Sequence, residues 1–157
     1  MIVAFCGHKS YVSEMDDEKY VLEILEKVIG NNTCEFFICD NGGFDDFSYC
    51  VAKKYKNRHP KARLVLVTPY PVLPSNSNCL YSCVKEYDAI LYPGFENVPL
   101  RFAILYRNRW LAEQADIIFS YVKKRGGAFK TRSYALKLGK EVYDVALKKC
   151  QVKFKKT

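Results

Sequence analysis

A chain of 157 residues, 49% hydrophobic and 27% charged, has the size and balance of one globular domain with its own core. No apolar run approaches the ~20 residues needed to cross a bilayer, and the opening MIVAFCGHK lacks the charged lead and cleavage site of a secretion signal, so neither a membrane partner nor export is expected. The seven cysteines are odd in number and none makes the paired CxxC spacing of a zinc site, so reduced thiols in the cytoplasm are expected, with no metal.

The formal charge of +8 is unevenly spread: from Lys123 onward twelve Lys or Arg face only Glu141 and Asp144, which leaves the first 122 residues at −2. Such a basic end attracts phosphate, on a nucleotide or on nucleic acid. Residues 1–147 read as one domain, and 148–157 (KKCQVKFKKT) as a solvated basic tail.

In chain order, Ile2 to Cys6 reads as a buried strand running into Gly7, His8, Lys9 and Ser10. A first strand ending in glycine and polar residues commonly opens a ligand crevice, because such sites lie at the carboxyl ends of the strands. A helix follows from about Met15 to Ile29, with Val21, Leu22, Leu25, Val28 and Ile29 on one face and Gly30 after its end. Cys34 to Cys39 is a second strand, then Asp40, Asn41, Gly42 and Gly43 lead to a helix from Asp45 to about Asn57, stopped by Pro60. Arg63 to Thr68 is a third strand, Pro69 to Asn78 a proline-rich loop, Asn78 to Tyr87 a candidate short helix, and Asp88 to Tyr92 a fourth strand.

Leu100 opens a long helix reaching to about Ala115, anchored by Phe102, Leu105, Trp110 and Leu111 and carrying Arg101, Arg107 and Arg109. Asp116 to Val122 is an apolar run of the kind that fills the middle of a parallel sheet. Gly126 and Gly127 then precede a helix from about Phe129 to Leu138, which Gly139 ends. Paired glycines between a strand and a helix let backbone approach a ligand closely, and the helix start offers N–H groups to an anion. The earlier pair, Gly42 and Gly43, repeats that arrangement at the same sheet edge. Glu141 to Val145 is a sixth strand, at or near the sheet edge. Alternating strands and helices predict an α/β, Rossmann-like three-layer α/β/α fold with a mostly parallel sheet.

Gly7-His8-Lys9, the Gly42-Gly43-Phe44-Asp45-Asp46 turn, Arg107-Asn108-Arg109-Trp110, and Gly126-Gly127 followed by Thr131 together resemble blocks of the SLOG superfamily, nearest to its YpsA-like bacterial and phage-associated branch. The resemblance runs from Ile2 to about Val145. It implies nucleotide binding at the strand ends and relatedness to the LOG phosphoribohydrolases, which cleave the N-glycosidic bond of cytokinin nucleotides, and to the DNA-processing protein DprA. LOG relatives often pair, so it also implies a homodimer. Arg107 matches the LOG arginine by its spacing from Asp116, while Thr131-Arg132-Ser133 stands where the Thr-x-Glu block would place a glutamate.

The leading expectation is therefore a binding or sensing module for a nucleotide or nucleotide-derived ligand, with no further cofactor. Its ligand would touch Gly7, His8, Gly42, Gly43, Asp45, Arg107, Asn108, Gly126, Gly127 and Thr131. Asp45 is open to three roles: ligand contact, helix cap or catalysis. The enzyme alternative is a nucleoside-monophosphate glycosidase that uses Arg107 with Asp45 or Glu113 as its carboxylate. DNA binding through the basic C-terminal end ranks third.

Overall fold

The computed structural model describes residues 1–71 and 85–151. Its strands are β1 (Ile2–Gly7), β2 (Glu35–Ile38), β3 (Arg63–Val67), β4 (Ala89–Leu91), β5 (Ile117–Tyr121), β6 (Glu141–Asp144) and β7 (Lys149–Gln151). Its helices are α1 (Asp17–Ile29), α2 (Gly43–Arg58), α3 (Ala103–Gln114), entered through a 3-10 turn at Leu100–Phe102, and α4 (Gly127–Lys137). The sheet order is β4-β3-β2-β1-β5-β6-β7, parallel throughout except for the last pair.

Alternation along the strands divides the core into two layers. Val3 and Phe5 of β1 and Ile117 and Phe119 of β5 join Val21, Leu25 and Ile29 of α1 and Phe44, Val51 and Tyr55 of α2. On the other face Ala4, Cys6 and Ile118 meet Leu111 and Ala112 of α3 and Ala135 of α4. Trp110 completes that second layer, stacked on Phe37 at 5.8 Å between ring centres, as its core reading predicts. Burying an aromatic or branched side chain in this way is worth roughly 1.5–3 kcal/mol. The three-layer α/β expectation holds.

The C-terminal end differs from expectation. Residues 149–151 are not solvated tail but a strand, β7, which pairs antiparallel with β6 through Val142↔Gln151 and Asp144↔Lys149. The turn between them has no glycine or asparagine to announce it; Lys148 itself takes the left-handed conformation, with φ 51°. Its Nζ donates to Asp17 Oδ1 at 2.6 Å, which ties the hairpin to the start of α1. β6 is consequently one strand in from the edge, near it as expected. Two helices also begin two residues earlier than their side chains suggest, at Gly43 and Gly127, because a glycine without an apolar side chain leaves no mark on the periodicity. The candidate helix from Asn78 and most of the proline-rich loop lie outside the described residues, and 85–87 are not helical. Among the described residues no helix is long and apolar enough to cross a membrane.

Candidate functional site

β1 lies between β2 and β5, and the chain winds away from it in both directions, so the helices leaving β1 and β5 diverge to opposite faces. A crevice must open where they part, outside the carboxyl ends of these strands. It does: a cavity of about 210 Å³ is lined by Gly7 at the end of β1, His8 and Lys9 after it, Cys39 and Asn41 after β2, Asp45 on α2, Ile104, Arg107 and Asn108 on α3, and Gly127, Ala128 and Thr131 on α4.

Arg107 dominates its electrostatics. The residue is only 4% exposed. Its Nε and Nη2 donate to the same acceptor, Asn108 Oδ1, at 3.2 and 3.0 Å. No carboxylate among the described residues forms an ion pair with it, whereas Arg132, the other semi-buried arginine here, donates to Asp144 Oδ2 at 3.0 Å. A buried guanidinium held by one neutral amide oxygen has lost water without gaining an ion-pair partner, only the more distant field of Asp45, which is costly unless a ligand supplies a closer counter-charge. Asn108 thereby gains a role, fixing the fork from the next position on α3.

Asp45 stands on the opposite wall. Its Oδ2 accepts from Asn41 N–H at 2.9 Å, a backward reach from the first turn of α2 that resembles the acidic half of a capping box. Burial pushes its pKa up, against the pull of Arg107 and of the Asn41 N–H. It thus pins the loop before α2 and forms part of the crevice wall.

His8 is fixed by its neighbours. Lys123 N–H and Lys124 N–H donate to Nε2 at 2.8 and 3.2 Å, which leaves that nitrogen unprotonated and the proton on Nδ1. Burial, then the positive charges of Lys124 and Arg132, lower its pKa. His8 brings no charge to the crevice; it clasps the β1 loop to the loop before α4. An imidazole whose folded pKa is depressed resists a proton that the unfolded chain accepts near pH 6.5. Stability should therefore drop as pH falls below about 6.5. His8→Gln, which retains an acceptor without titrating, should lose that part of the slope in melts recorded from about pH 7 to 5. Equal slopes in both proteins would mean that the clasp is absent.

The two glycine pairs have different jobs. A Cβ on Gly43 would stand 2.3 Å from Tyr11 O, and one on Gly42, which has φ 123°, 2.7 Å from Lys9 Cα. Gly43 N–H donates to Lys9 O at 2.8 Å. This pair locks the β1 loop against α2 and does not line the crevice, contrary to the expectation that it faces phosphate. Nothing lies within 4 Å of a Cβ built on Gly126 or Gly127, so the start of α4 is open to a ligand, with Gly127 on the crevice wall. The N–H groups of that first turn have no intrahelical acceptor. Gly7 also lines the crevice, and only glycine fits there, since a Phe44 ring carbon lies 2.2 Å from where its Cβ would be.

Thr131 lines the crevice, yet its hydroxyl donates back to Gly127 O at 2.9 Å. Glu113 is elsewhere. It sits six residues beyond Arg107, about 9 Å along the helix axis, and its Oε1 accepts from Tyr134 Oη at 2.6 Å. It therefore drops out as a candidate carboxylate for the crevice. Lys9, Asn41, Cys39 and Ile104 are wall residues that the sequence reading passed over as such. Lys9 and Asn41 had a usable signal, since each follows closely on a strand that ends at the crevice. Cys6 and Cys39 also line it, but burial pushes both thiols up to about 12, which leaves them protonated and poor nucleophiles. No three or more His, Cys, Asp or Glu side chains among the described residues are grouped to hold a metal ion.

No family model matches the chain. No curated protein matches it either.

Proposed function

We infer that the chain binds a nucleotide or nucleotide-derived anion as a sensor or binding module of SLOG type, acting in the cytoplasm where such ligands occur. The observation that carries this reading is Arg107, buried on the crevice wall with Asn108 Oδ1 as acceptor and no carboxylate partner among the described residues. A phosphate beside it would receive the guanidinium fork and the free N–H groups at the start of α4. The open faces of Gly126 and Gly127 leave room for that approach. A 210 Å³ cavity suits a phosphoribosyl group better than a whole nucleotide, so the base would project outward.

A second reading is supported by Asp45. A carboxyl whose pKa is raised by burial, facing a crevice that also holds an arginine, has the character of an acid or base for cleaving a ribosyl–base bond. The position of the family's glutamate offers no substitute, since Ser133 occupies it and Arg132 beside it is bound to Asp144.

One experiment separates the two. Nucleoside monophosphates, NAD and cyclic nucleotides are incubated with the protein, thermal stability is recorded, and the same samples are chromatographed for free base. Stabilisation of about 2.7 kcal/mol at roughly 100 times Kd, with the ligand recovered intact, is expected. Free base that vanishes in Asp45→Asn would establish the glycosidase instead. No stabilisation by any phosphate compound would overturn both readings.

A further inference from the structure

We propose that the outer groove between α3 and α4 is a binding surface for single-stranded nucleic acid, distinct from the crevice although Thr131 borders both. The groove encloses about 350 Å³ and is lined by Leu105, Arg109, Phe129, Lys130, Tyr134 and Lys137, with Thr131 and Ser133 between them. Three of its eight lining residues are cationic and two aromatic, and no carboxylate lines it.

The cations are uncommitted. All four basic residues of α2 have carboxylate partners: Lys53 with Glu86, Lys54 with Glu18, Lys56 with Asp88 and Arg58 with Glu26. Arg109, Lys130 and Lys137 form no ion pair with any described residue, so the charge of this groove is left free where that of α2 is neutralised. Lys130, Tyr134 and Lys137 follow one another at helical spacings of four and three, which aligns them along one face of α4 over about two turns.

The aromatic rings are held as platforms. Tyr134 Oη is fixed by Glu113 at 2.6 Å, while the Arg109 guanidinium lies over the Tyr134 ring at 5.9 Å and over Tyr106 at 6.0 Å. Arg132 backs the Phe129 ring at 5.6 Å. Tyr106, 42% exposed and lying under Arg109, extends the same surface along α3. Interleaved aromatics and unpaired cations suit a strand whose bases are free to stack and whose phosphates recur between them. An acidic peptide would use the charges but leave the rings idle, and a duplex would hide its base faces.

The test is fluorescence anisotropy of the full chain with a labelled oligothymidylate of about 20 nucleotides at salt from about 50 to 200 mM. Binding is expected to weaken steeply with salt. In the Lys130→Gln, Lys137→Gln double variant the log–log salt slope should be shallower by about 1.4, the value for two lost contacts to a single strand. Phe129→Leu, which keeps apolar volume but lacks the π face, should weaken binding by about tenfold with the slope unchanged. Unaltered melting temperatures would show that both variants fold. The proposal is overturned if the slope does not change in the double variant, if duplex binds more tightly than single strand, if polyglutamate binds as well as the oligonucleotide, or if truncation after Gln151 alone removes binding. Because Arg107 is not in the groove, ligand-induced stabilisation at the crevice should survive in all these variants.

Discussion

Arg107→Met should abolish stabilisation by nucleotide ligands and leave the ligand-free protein at least as stable as the parent. The first half follows from the loss of the guanidinium fork at the crevice, which removes the roughly 2.7 kcal/mol that a saturating ligand would contribute at about 100 times Kd. The second half follows from what Arg107 lacks. It is 4% exposed with one neutral acceptor, Asn108 Oδ1, so burying its charge is poorly compensated in the empty protein. Exchanging buried charges for a hydrophobic side chain of similar volume is often neutral or stabilising by about 1–4 kcal/mol. Arg107→Lys retains the charge but not the planar fork, and should weaken ligand binding rather than abolish it. Asp45 supplies an internal check. Burial already raises its pKa, and Arg107 restrains the rise. With Arg107 gone the folded-state pKa should climb further. A raised carboxyl pKa costs stability as pH increases, because the native state holds a proton that the unfolded chain releases. The variant should therefore show a steeper fall in stability above about pH 4 than the parent. A ligand-free Arg107→Met protein destabilised by about 3 kcal/mol would instead mean that the arginine serves a structural network, and the functional reading would fail.

The strand–helix alternation was legible because it is written in periodicity: nearly continuous apolar runs such as Ile117 to Tyr121, broken only by Ser120, for buried parallel strands, and the three-and-four spacing of Val21, Leu22, Leu25 and Ile29 for an amphipathic helix. The crevice was legible in part, since chain order places the ends of β1, β2 and β5 together once a parallel sheet is accepted. What the sequence could not disclose is which of two similar glycine pairs faces solvent. Gly42 and Gly126 have the same neighbours in kind, a strand before and a helix after. The difference lies in Lys9 and Tyr11, brought against Gly42 and Gly43 by the path of the β1 loop. Glu113 illustrates the same limit. It shares α3 with Arg107, but six residues carry it past the mouth of the crevice toward Tyr134. Nor does the run after Val145 announce a hairpin, because its turn rests on a lysine at positive φ, held by a long-range partner rather than by local turn chemistry.

That partner sets the largest expected loss of stability. Asp17→Ala should destabilise the fold by about 3 kcal/mol, the low end of the cost of breaking a buried charged pair, because the Lys148 side chain is 34% exposed. Asp17 is fully buried and accepts from Lys148 Nζ at 2.6 Å, Tyr11 Oη at 2.7 Å and Glu14 N–H at 3.1 Å. Three separate stretches of chain thus converge on one carboxylate: the loop that carries His8 and Lys9 to the crevice, the start of α1, and the β6–β7 turn. Its removal leaves the Lys148 ammonium with only the carbonyl of Val145 at 3.3 Å, takes the carboxylate acceptor from the Tyr11 hydroxyl, and frees the strained backbone at Lys148. Burial alone would raise the Asp17 pKa, but the hydrogen bonds from Lys148, Tyr11 and Glu14 outweigh it and the net shift is downward. A carboxylate with a depressed folded-state pKa stabilises fully above its unfolded value near 3.9 and loses that contribution as pH falls through the folded value. Acid unfolding should accordingly be less steep in the variant than in the parent. Urea melts at neutral pH read the main effect, and Lys148→Met separates its sources. If Asp17 serves chiefly as the anchor for the hairpin, the double variant should be no worse than Asp17→Ala alone, since the stranded ammonium has gone. Additive losses would show that the two residues act independently, and the link between the C-terminal hairpin and the crevice loop would have to be sought elsewhere.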